Sequence, residues 1–175
     1  MDDPRIAALK ARIRDVPDFP KPGILFKDIT PLLGDGAAFR RSIDLLAEKL
    51  QNAKPELIVG IESRGFIFGA ALADRMGAGF VPVRKPGKLP FRSTRETYEL
   101  EYGTDALEMH EDAVDGKRCA IVDDLLATGG TAAATARLVE RLKGRVDAFA
   151  FVVELDFLKG RAKLGARAIH SLLHY

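Results

Sequence analysis

The stretch from Arg118 to Thr131 reads RCAIVDDLLATGGT, and it decides the predicted fold. Its first part is apolar and partly β-branched, which is typical of a buried strand. Two adjacent carboxylates, Asp123 and Asp124, come where that strand is predicted to end. A small, glycine-rich segment follows, and from Ala132 the apolar spacing becomes that of a helix. The stretch therefore predicts a strand, a tight loop and a helix in succession.

This strand, loop and helix together have the geometry of an anion site. A helix begins with free backbone N–H groups and the positive end of its dipole, and both attract phosphate. Gly129 and Gly130 permit the positive φ angles of a loop that wraps an anion, and Thr131 is a candidate N-cap. The two carboxylates would repel a phosphate, so we expect them to accept hydrogen bonds from sugar hydroxyls. The predicted ligand is a ribose that carries a 5′-phosphate.

Each part of this stretch also has an ordinary structural explanation. An isolated Asp-Asp pair can end a strand, and an isolated Gly-Gly pair can form a turn. The complete ordered string favours a binding site over these explanations. No lysine follows the glycines, which disfavours the phosphate loop of an ordinary nucleoside triphosphatase.

The composition suits one domain that spans residues 1–175. Of the 175 residues 47% are hydrophobic, which is ordinary for a globular protein with a single sizeable core. The 27 Lys+Arg and 25 Asp+Glu nearly balance, so we predict neither nucleic acid nor a membrane as a partner. Cys119 is the only cysteine, and we see no signal peptide and no membrane span. We therefore expect a cytoplasmic protein.

Apolar periodicity predicts alternating helices and strands along the chain. Helices are expected at about 6–16, 37–51, 65–76 and from 132, and strands at about 57–61, 79–83, 118–123, 147–153 and 168–173. Residues 98–102 and 106–109 are expected to pair as a hairpin. This order predicts an α/β fold with a doubly wound, mainly parallel sheet flanked by helices. In such sheets ligands bind at the carboxyl ends of the strands, where 62–65 and 123–131 would meet.

The segment from Val122 to Thr131 resembles the phosphoribosyl pyrophosphate signature of type I phosphoribosyltransferases, and its LLATGG spelling resembles the adenine-specific members. Residues 20–31, 60–65 and 98–103 are similar to three further motifs, in the family's order. The resemblance implies transfer of phosphoribose from phosphoribosyl pyrophosphate to adenine, giving AMP and pyrophosphate in purine salvage. It also implies a homodimer, and Mg²⁺ that is bound mainly through substrate oxygens and water rather than by dedicated protein ligands.

The resemblance also assigns residues to each part of the substrates. Those assigned to the ribose and its 5′-phosphate are Asp123, Asp124, Ala127, Thr128, Gly129, Gly130 and Thr131. Those assigned to the pyrophosphate are Arg64, Arg84 and Lys88. Those assigned to adenine are Leu25, Phe26, Lys27 and Leu125, with the Phe26 ring stacked on the base and the backbone of Leu25 and Lys27 reading its edge. Glu101 is assigned as the acid/base residue and Tyr102 as its companion.

Three segment-level expectations accompany these assignments. A small N-terminal hood covers about residues 1–35, and a mobile loop covers about residues 84–103. The family's pyrophosphate loop also carries a non-proline cis peptide bond, which corresponds here to Glu62–Ser63. Taken alone, these residues have simpler explanations: Phe26 in the core, Arg64 capping a turn, and Glu101 on an exposed acidic strand face.

Two alternatives to this function stay open. One is transfer to another purine, such as hypoxanthine or xanthine. The other is a regulatory protein that senses phosphoribosyl pyrophosphate without catalysis. A regulator would usually carry a DNA-binding segment and a basic face, and the sequence shows neither.

Overall fold

The computed structural model describes residues 3–99 and 103–175. In chain order its elements are α1 (Pro4–Lys10), β1 (Arg14–Pro17), β2 (Leu25–Asp28), α2 (Thr30–Gly34), α3 (Gly36–Leu50), β3 (Leu57–Ile61), α4 (Gly65–Met76), β4 (Gly79–Val83), β5 (Ser93–Glu99), β6 (Thr104–His110), β7 (Arg118–Leu126), α5 (Gly130–Arg141), β8 (Arg145–Glu154) and β9 (Ala168–His174). Two short 3₁₀ turns, Asp156–Leu158 and Gly160–Lys163, lie between β8 and β9.

A parallel sheet of five strands in the order β4-β3-β7-β8-β9 forms the centre of the molecule. Its strands are continuous apolar runs because both faces of the sheet are buried. Ile58, Val122 and Ala150 face the side covered by α3 and α4. Ile121 and Phe149 face the opposite side, which α5 and the β5–β6 pair cover. The predicted α/β fold, with a mainly parallel sheet flanked by helices, is confirmed.

The first predicted helix is wrong in its second half. The helix ends at Lys10, and Val16 lies in β1, which pairs antiparallel with β2 so that Val16 faces Phe26. Helical spacing of the apolar residues continues to Val16, but pairing with a distant segment satisfies the backbone instead. The sequence predicts residues 25–31 as a short extended piece, but nothing in its pattern identifies β1 as the strand that pairs with it.

The predicted hairpin is present, but it is longer and begins earlier. Its first strand starts at Ser93 rather than near residue 98, and β5 and β6 pair from Ser93–His110 to Glu99–Thr104. The alternation in β5 is hard to recognise because one of its inward residues, Glu96, is charged. The buried Glu96 carboxylate forms ion pairs with Arg137 and with Arg141 of α5. Part of the segment expected to be an irregular loop is therefore a strand fixed to a helix.

Two details of the central stretch also differ from the expectation. Strand β7 continues to Leu126, so the two carboxylates lie inside the strand rather than at its end. Helix α5 begins at Gly130 with Gly129 in the N-cap position, so Thr131 is already in the first turn. Within residues 3–99 and 103–175 no helix is long and apolar enough to cross a bilayer.

Candidate active site

Asp123 and Asp124 line a cavity of about 530 Å³ at the carboxyl end of the sheet. Burial raises the pKa of Asp123, and the neighbouring charge of Asp124 raises it further. Burial also raises the pKa of Asp124, although the Arg64 guanidinium, 2.9 Å away, opposes this. Hydrogen-bond donors that reach into the cavity would stabilise the charged forms of both carboxylates. The pair is therefore suited to accept hydrogen bonds from neighbouring hydroxyls.

The loop after β7 encloses a smaller cavity of about 70 Å³. Its lining runs from Leu125 to Ala132 and includes Ala127, Thr128, Gly129, Gly130 and Thr131, together with Asp123. Gly129 has φ +78°, and a Cβ there would lie 2.3 Å from the carbonyl oxygen of Gly160, so only glycine fits. Gly130 has no positive φ, and a Cβ there would meet nothing closer than 3.6 Å. Gly129 therefore uses the positive φ that glycine permits, and Gly130 does not.

The segment after β3 brings a cation to the same cavity. The Glu62–Ser63 peptide bond is cis, as predicted. Arg64 occupies the N-cap position of α4, and its Nε lies 2.9 Å from the Asp124 carboxylate. A Cβ on Gly65 would lie 2.8 Å from Oδ1 of Asp123, so this glycine lets α4 approach β7 closely. Glu62, Ser63 and Arg64 all line the larger cavity.

The basic turn, residues 84–88, follows β4 on the other side of this cavity. Arg84 donates from Nε to Glu62 at 3.2 Å and from Nη1 to the carbonyl oxygen of Lys88 at 3.0 Å. The Lys85 side chain lines the cavity and forms an ion pair with Asp105 of β6. Lys88 is exposed and is not among the residues described as lining the cavity. The turn thus places Lys85, rather than Lys88, on the wall of the cavity that the two carboxylates line.

Strand β2 places Phe26 beside this group of residues. The Phe26 ring is half-buried, and the Arg64 guanidinium carbon lies 5.5 Å from its centroid. Phe19 packs edge-on against the same ring at 5.1 Å. The Leu25 side chain is half-exposed, and the Lys27 side chain turns to Asp15 at 2.6 Å. The Phe26 ring, the Arg64 guanidinium and the Asp124 carboxylate therefore lie side by side, with Arg64 in the middle.

Comparison with known proteins agrees with this arrangement. A family model for the phosphoribosyl transferase domain matches residues 32–162. The adenine phosphoribosyltransferase of Acidobacterium capsulatum is 60% identical over 168 residues, which cover 95% of this chain and 93% of the relative. The chain belongs to the adenine phosphoribosyltransferase family. The activity predicted from the central stretch, a pentosyl transfer by an enzyme of purine salvage, is thereby confirmed.

Solved structures of the adenine phosphoribosyltransferase family have the same fold. The crystal structure from Thermoanaerobacter pseudethanolicus is 57% identical and superposes with a TM-score of 0.94, covering 97% of this chain and 99% of that one. The enzyme from Saccharomyces cerevisiae, solved with an imino-altritol bisphosphate and adenine, is 45% identical with a TM-score of 0.92. That alignment covers 97% of this chain and 98% of the yeast chain.

Glu101 and Tyr102, the residues assigned to acid/base catalysis, lie outside the described residues. The hairpin that leads to them is described up to the pair Glu99–Thr104. The Tyr98 hydroxyl donates to Asp105 at 3.2 Å and accepts from the Thr131 hydroxyl at 3.4 Å. The end of the hairpin is thus held beside the loop that follows β7.

Six residues of the cavity wall were given no role from the sequence: Glu62, Ser63, Lys85, Tyr98, Asp105 and Leu107. Lys85 could have been found, because it comes two residues after the carboxyl end of a predicted parallel strand. Tyr98 and Asp105 had no such signal. They face each other across the β5–β6 register, which depends on where the hairpin turns.

Proposed function

We propose that the two adjoining cavities bind phosphoribosyl pyrophosphate and that Phe26 receives adenine, so that the chain forms AMP and pyrophosphate. The observation that carries this proposal is the convergence of three groups on one cleft. The Asp123–Asp124 pair lies between the glycine loop that follows β7 and the cations Arg64 and Lys85. Carboxylates that can accept hydrogen bonds from hydroxyl groups, placed between a glycine loop and a pair of cations that can each bind an anion, match a ribose that carries phosphate groups at both ends.

Each part of the cleft then has a role in the transfer. The purine ring nitrogen displaces pyrophosphate from the anomeric carbon, and positive charge builds on the ribose ring as that bond breaks. The loop 127–131 holds the 5′-phosphate through backbone and hydroxyl donors, and the two carboxylates hold the ribose hydroxyls. Arg64 and Lys85, with Arg84 and Lys88 nearby, stabilise the charge that develops on the leaving group. Glu101 exchanges the purine proton.

Magnesium fits this cleft because its wall carries carboxylate oxygens, which are the ligands that Mg²⁺ prefers. Asp123 and Asp124 are the carboxylates best placed to hold it, directly or through water, while substrate oxygens supply most of its coordination. The bound ion would neutralise charge on the pyrophosphate.

Phe26→Ala is expected to weaken the use of adenine by roughly 1–3 kcal/mol, the range for bases stacked on aromatic side chains. Phosphoribosyl pyrophosphate binding should survive, since the residues proposed for it lie elsewhere. Steady-state kinetics with each substrate varied in turn measure both effects. Ile24→Ala is the control because the Ile24 side chain is exposed and Ile24 has no assigned role in adenine binding. Equal loss of both substrates in a folded Phe26→Ala variant would mean that Phe26 is only a core residue.

Lys85→Ala is expected to raise KM for phosphoribosyl pyrophosphate about tenfold, as removal of one charge-assisted hydrogen bond would. Lys88→Ala should have a smaller effect, since the Lys88 side chain is exposed at the end of the turn. The same kinetic assay compares the two variants. A larger effect at Lys88 would show that this lysine moves to the pyrophosphate in the complex and that Lys85 does not.

Pyrophosphate release, followed with a panel of purines and pyrimidines in the presence of phosphoribosyl pyrophosphate and Mg²⁺, tests the whole proposal. We expect turnover with adenine far above that with hypoxanthine or xanthine. Turnover with another base alone would correct the assigned specificity, and no turnover with any base would favour a non-catalytic sensor.

The homodimer, the cytoplasmic location, the single domain and the hood of residues 1–35 are also part of this proposal. So is the mobile loop of residues 84–103, although its movement would have to release β5 from the ion pairs between Glu96 and α5. They rest on the family resemblance and on composition. Light scattering in solution measures the oligomeric state directly.

A further inference from the structure

A buried carboxylate behind the basic turn accepts a hydrogen bond from the backbone of that turn. Glu108 of β6 is 7% exposed. Its Oε2 accepts a hydrogen bond from the Gly87 N–H at 3.0 Å. Its Oε1 accepts two from the Arg95 guanidinium, from Nε at 3.0 Å and from Nη2 at 2.9 Å. A side chain at this depth would not be retained as a carboxylate without such partners.

The main chain of Glu108 holds the start of the same turn. The Arg84 N–H donates to the Glu108 carbonyl oxygen at 3.0 Å, and the Glu108 N–H donates to the Arg84 carbonyl oxygen at 2.8 Å. One residue therefore fixes the turn at both Arg84 and Gly87. Gly87 has φ +77°, so the backbone reverses direction here in a conformation that depends on this support.

The cations of the turn depend on the path of this backbone. Lys85 lies between the two points that Glu108 holds, and its side chain enters the cavity. On the cavity side, Glu62 accepts from the Lys85 N–H at 2.9 Å. Glu108 is not among the described residues that line the cavity, so it has no direct access to a ligand there. Its effect on a ligand must pass through the turn.

The negative charge of Glu108 is balanced by the donors that contact its carboxylate. The Gly87 N–H, assisted by the Arg95 guanidinium, lowers the pKa of this carboxyl against the opposing effect of burial. The group is therefore ionised at neutral pH. With guanidinium and amide donors occupying both oxygens, it can stand behind an anion site without presenting a free negative charge to it.

We infer that Glu108 is a positioning residue for the pyrophosphate end of the substrate, acting through the backbone of the basic turn and the direction of Lys85. This inference rests on the proposed function. It assigns to Glu108 no contact with substrate and no part in proton transfer. Loss of its carboxylate should therefore impair binding of the pyrophosphate end and leave adenine recognition intact.

Glu96 offers a matched control on the same hairpin. It is 8% exposed and is likewise held by guanidinium groups, those of Arg137 and Arg141. Its partners belong to α5, and none of its described contacts is with residues 84–88. Glu96→Gln and Glu108→Gln therefore make the same chemical change at similar depth, one away from the turn and one behind it.

The experiment compares these two variants with the unmodified chain by thermal unfolding and by kinetics with each substrate varied. Both variants should lose stability, but only Glu108→Gln should raise KM for phosphoribosyl pyrophosphate, by about tenfold or more for the lost charged contacts. Its KM for adenine should stay within about twofold, since the turn does not contact the base site. An unchanged KM for phosphoribosyl pyrophosphate in folded Glu108→Gln, or an equal rise in Glu96→Gln, would overturn the inference.

Gly87→Ala serves as a second variant if Glu108→Gln does not fold. A Cβ at Gly87 meets nothing within 4 Å, so only the positive φ is strained and the fold should persist. We expect the same selective rise in KM for phosphoribosyl pyrophosphate, and an unchanged KM would overturn the inference. Activity of the unmodified chain with adenine in the same assay tests the proposed function separately.

Discussion

Glu101→Gln is expected to lower kcat by roughly 10²–10⁴-fold, the range for a positioned general acid or base. Glutamine keeps the shape and the hydrogen bonding of the side chain but removes its charge and basicity. Tyr98, three residues before Glu101 in the sequence, contacts Thr131 and Asp105 on the cavity wall. Closure over the substrates would also exclude water from a cationic transition state. Binding of phosphoribosyl pyrophosphate should change little.

Glu99→Gln is the control for this prediction. Glu99 is exposed, ends β5 opposite Thr104, and precedes Glu101 by two residues in the sequence. Steady-state kinetics on both variants separate a catalytic carboxylate from a solvent-facing one. Near-normal turnover in both variants would show that Glu101 has no role in proton transfer, and it would contradict the proposed closure over the substrates.

Gly129→Ala is expected to weaken AMP binding by about a hundredfold. The left-handed backbone alone costs roughly 1–2 kcal/mol for alanine. The new Cβ would in addition lie 2.3 Å from the carbonyl oxygen of Gly160, a backbone atom that cannot turn away. The loop that encloses the 70 Å³ cavity would have to open, and its donors would no longer converge on a phosphate.

Gly116→Ala gives a comparison away from the loop. Gly116 also has a positive φ, of +69°, and a Cβ there would meet nothing within 4 Å, so this variant has the backbone strain without the clash. Calorimetric titration with AMP should therefore find Gly116→Ala close to the unmodified chain. Similar losses in the two folded variants would contradict the view that Gly129 sets the shape of the loop.

The sequence predicted those parts of the fold in which local pattern and tertiary packing agree. Strands β3 and β8 are continuous apolar runs that are buried on both faces, and no other element type suits them. The helix predicted through Val16 is wrong because the apolar spacing there is helical, whereas Val16 pairs with Phe26 of β2, ten residues further along the chain. The first part of β5 was not predicted because Glu96 is charged, and its carboxylate can be buried only because Arg137 of α5 pairs with it.

For the site, sequence reasoning brought the loop of residues 123–131 and residues 62–65 to one cavity, but it did not place Lys85, Tyr98 or Asp105 on the cavity wall. The loop is contiguous, so its composition and order carry the signal. Lys85 and Asp105 lie on different elements, and the bridge between Arg84 and Glu108 brings those elements together. A pairing of this kind depends on tertiary geometry that no local spacing encodes.

A continuous path of polar contacts joins the two cavities. Lys85 pairs with Asp105, which accepts from the Tyr98 hydroxyl, which in turn accepts from Thr131, a residue that lines both cavities. An anion that drew Lys85 away from Asp105 would change the partners left to Tyr98 and Thr131. If an anion in one cavity changes the affinity of the other cavity in this way, the reverse effect has the same factor, by thermodynamic reciprocity. The two ends of the proposed substrate would then bind cooperatively, and phosphate and pyrophosphate added as separate ions would show the same coupling only when both are present.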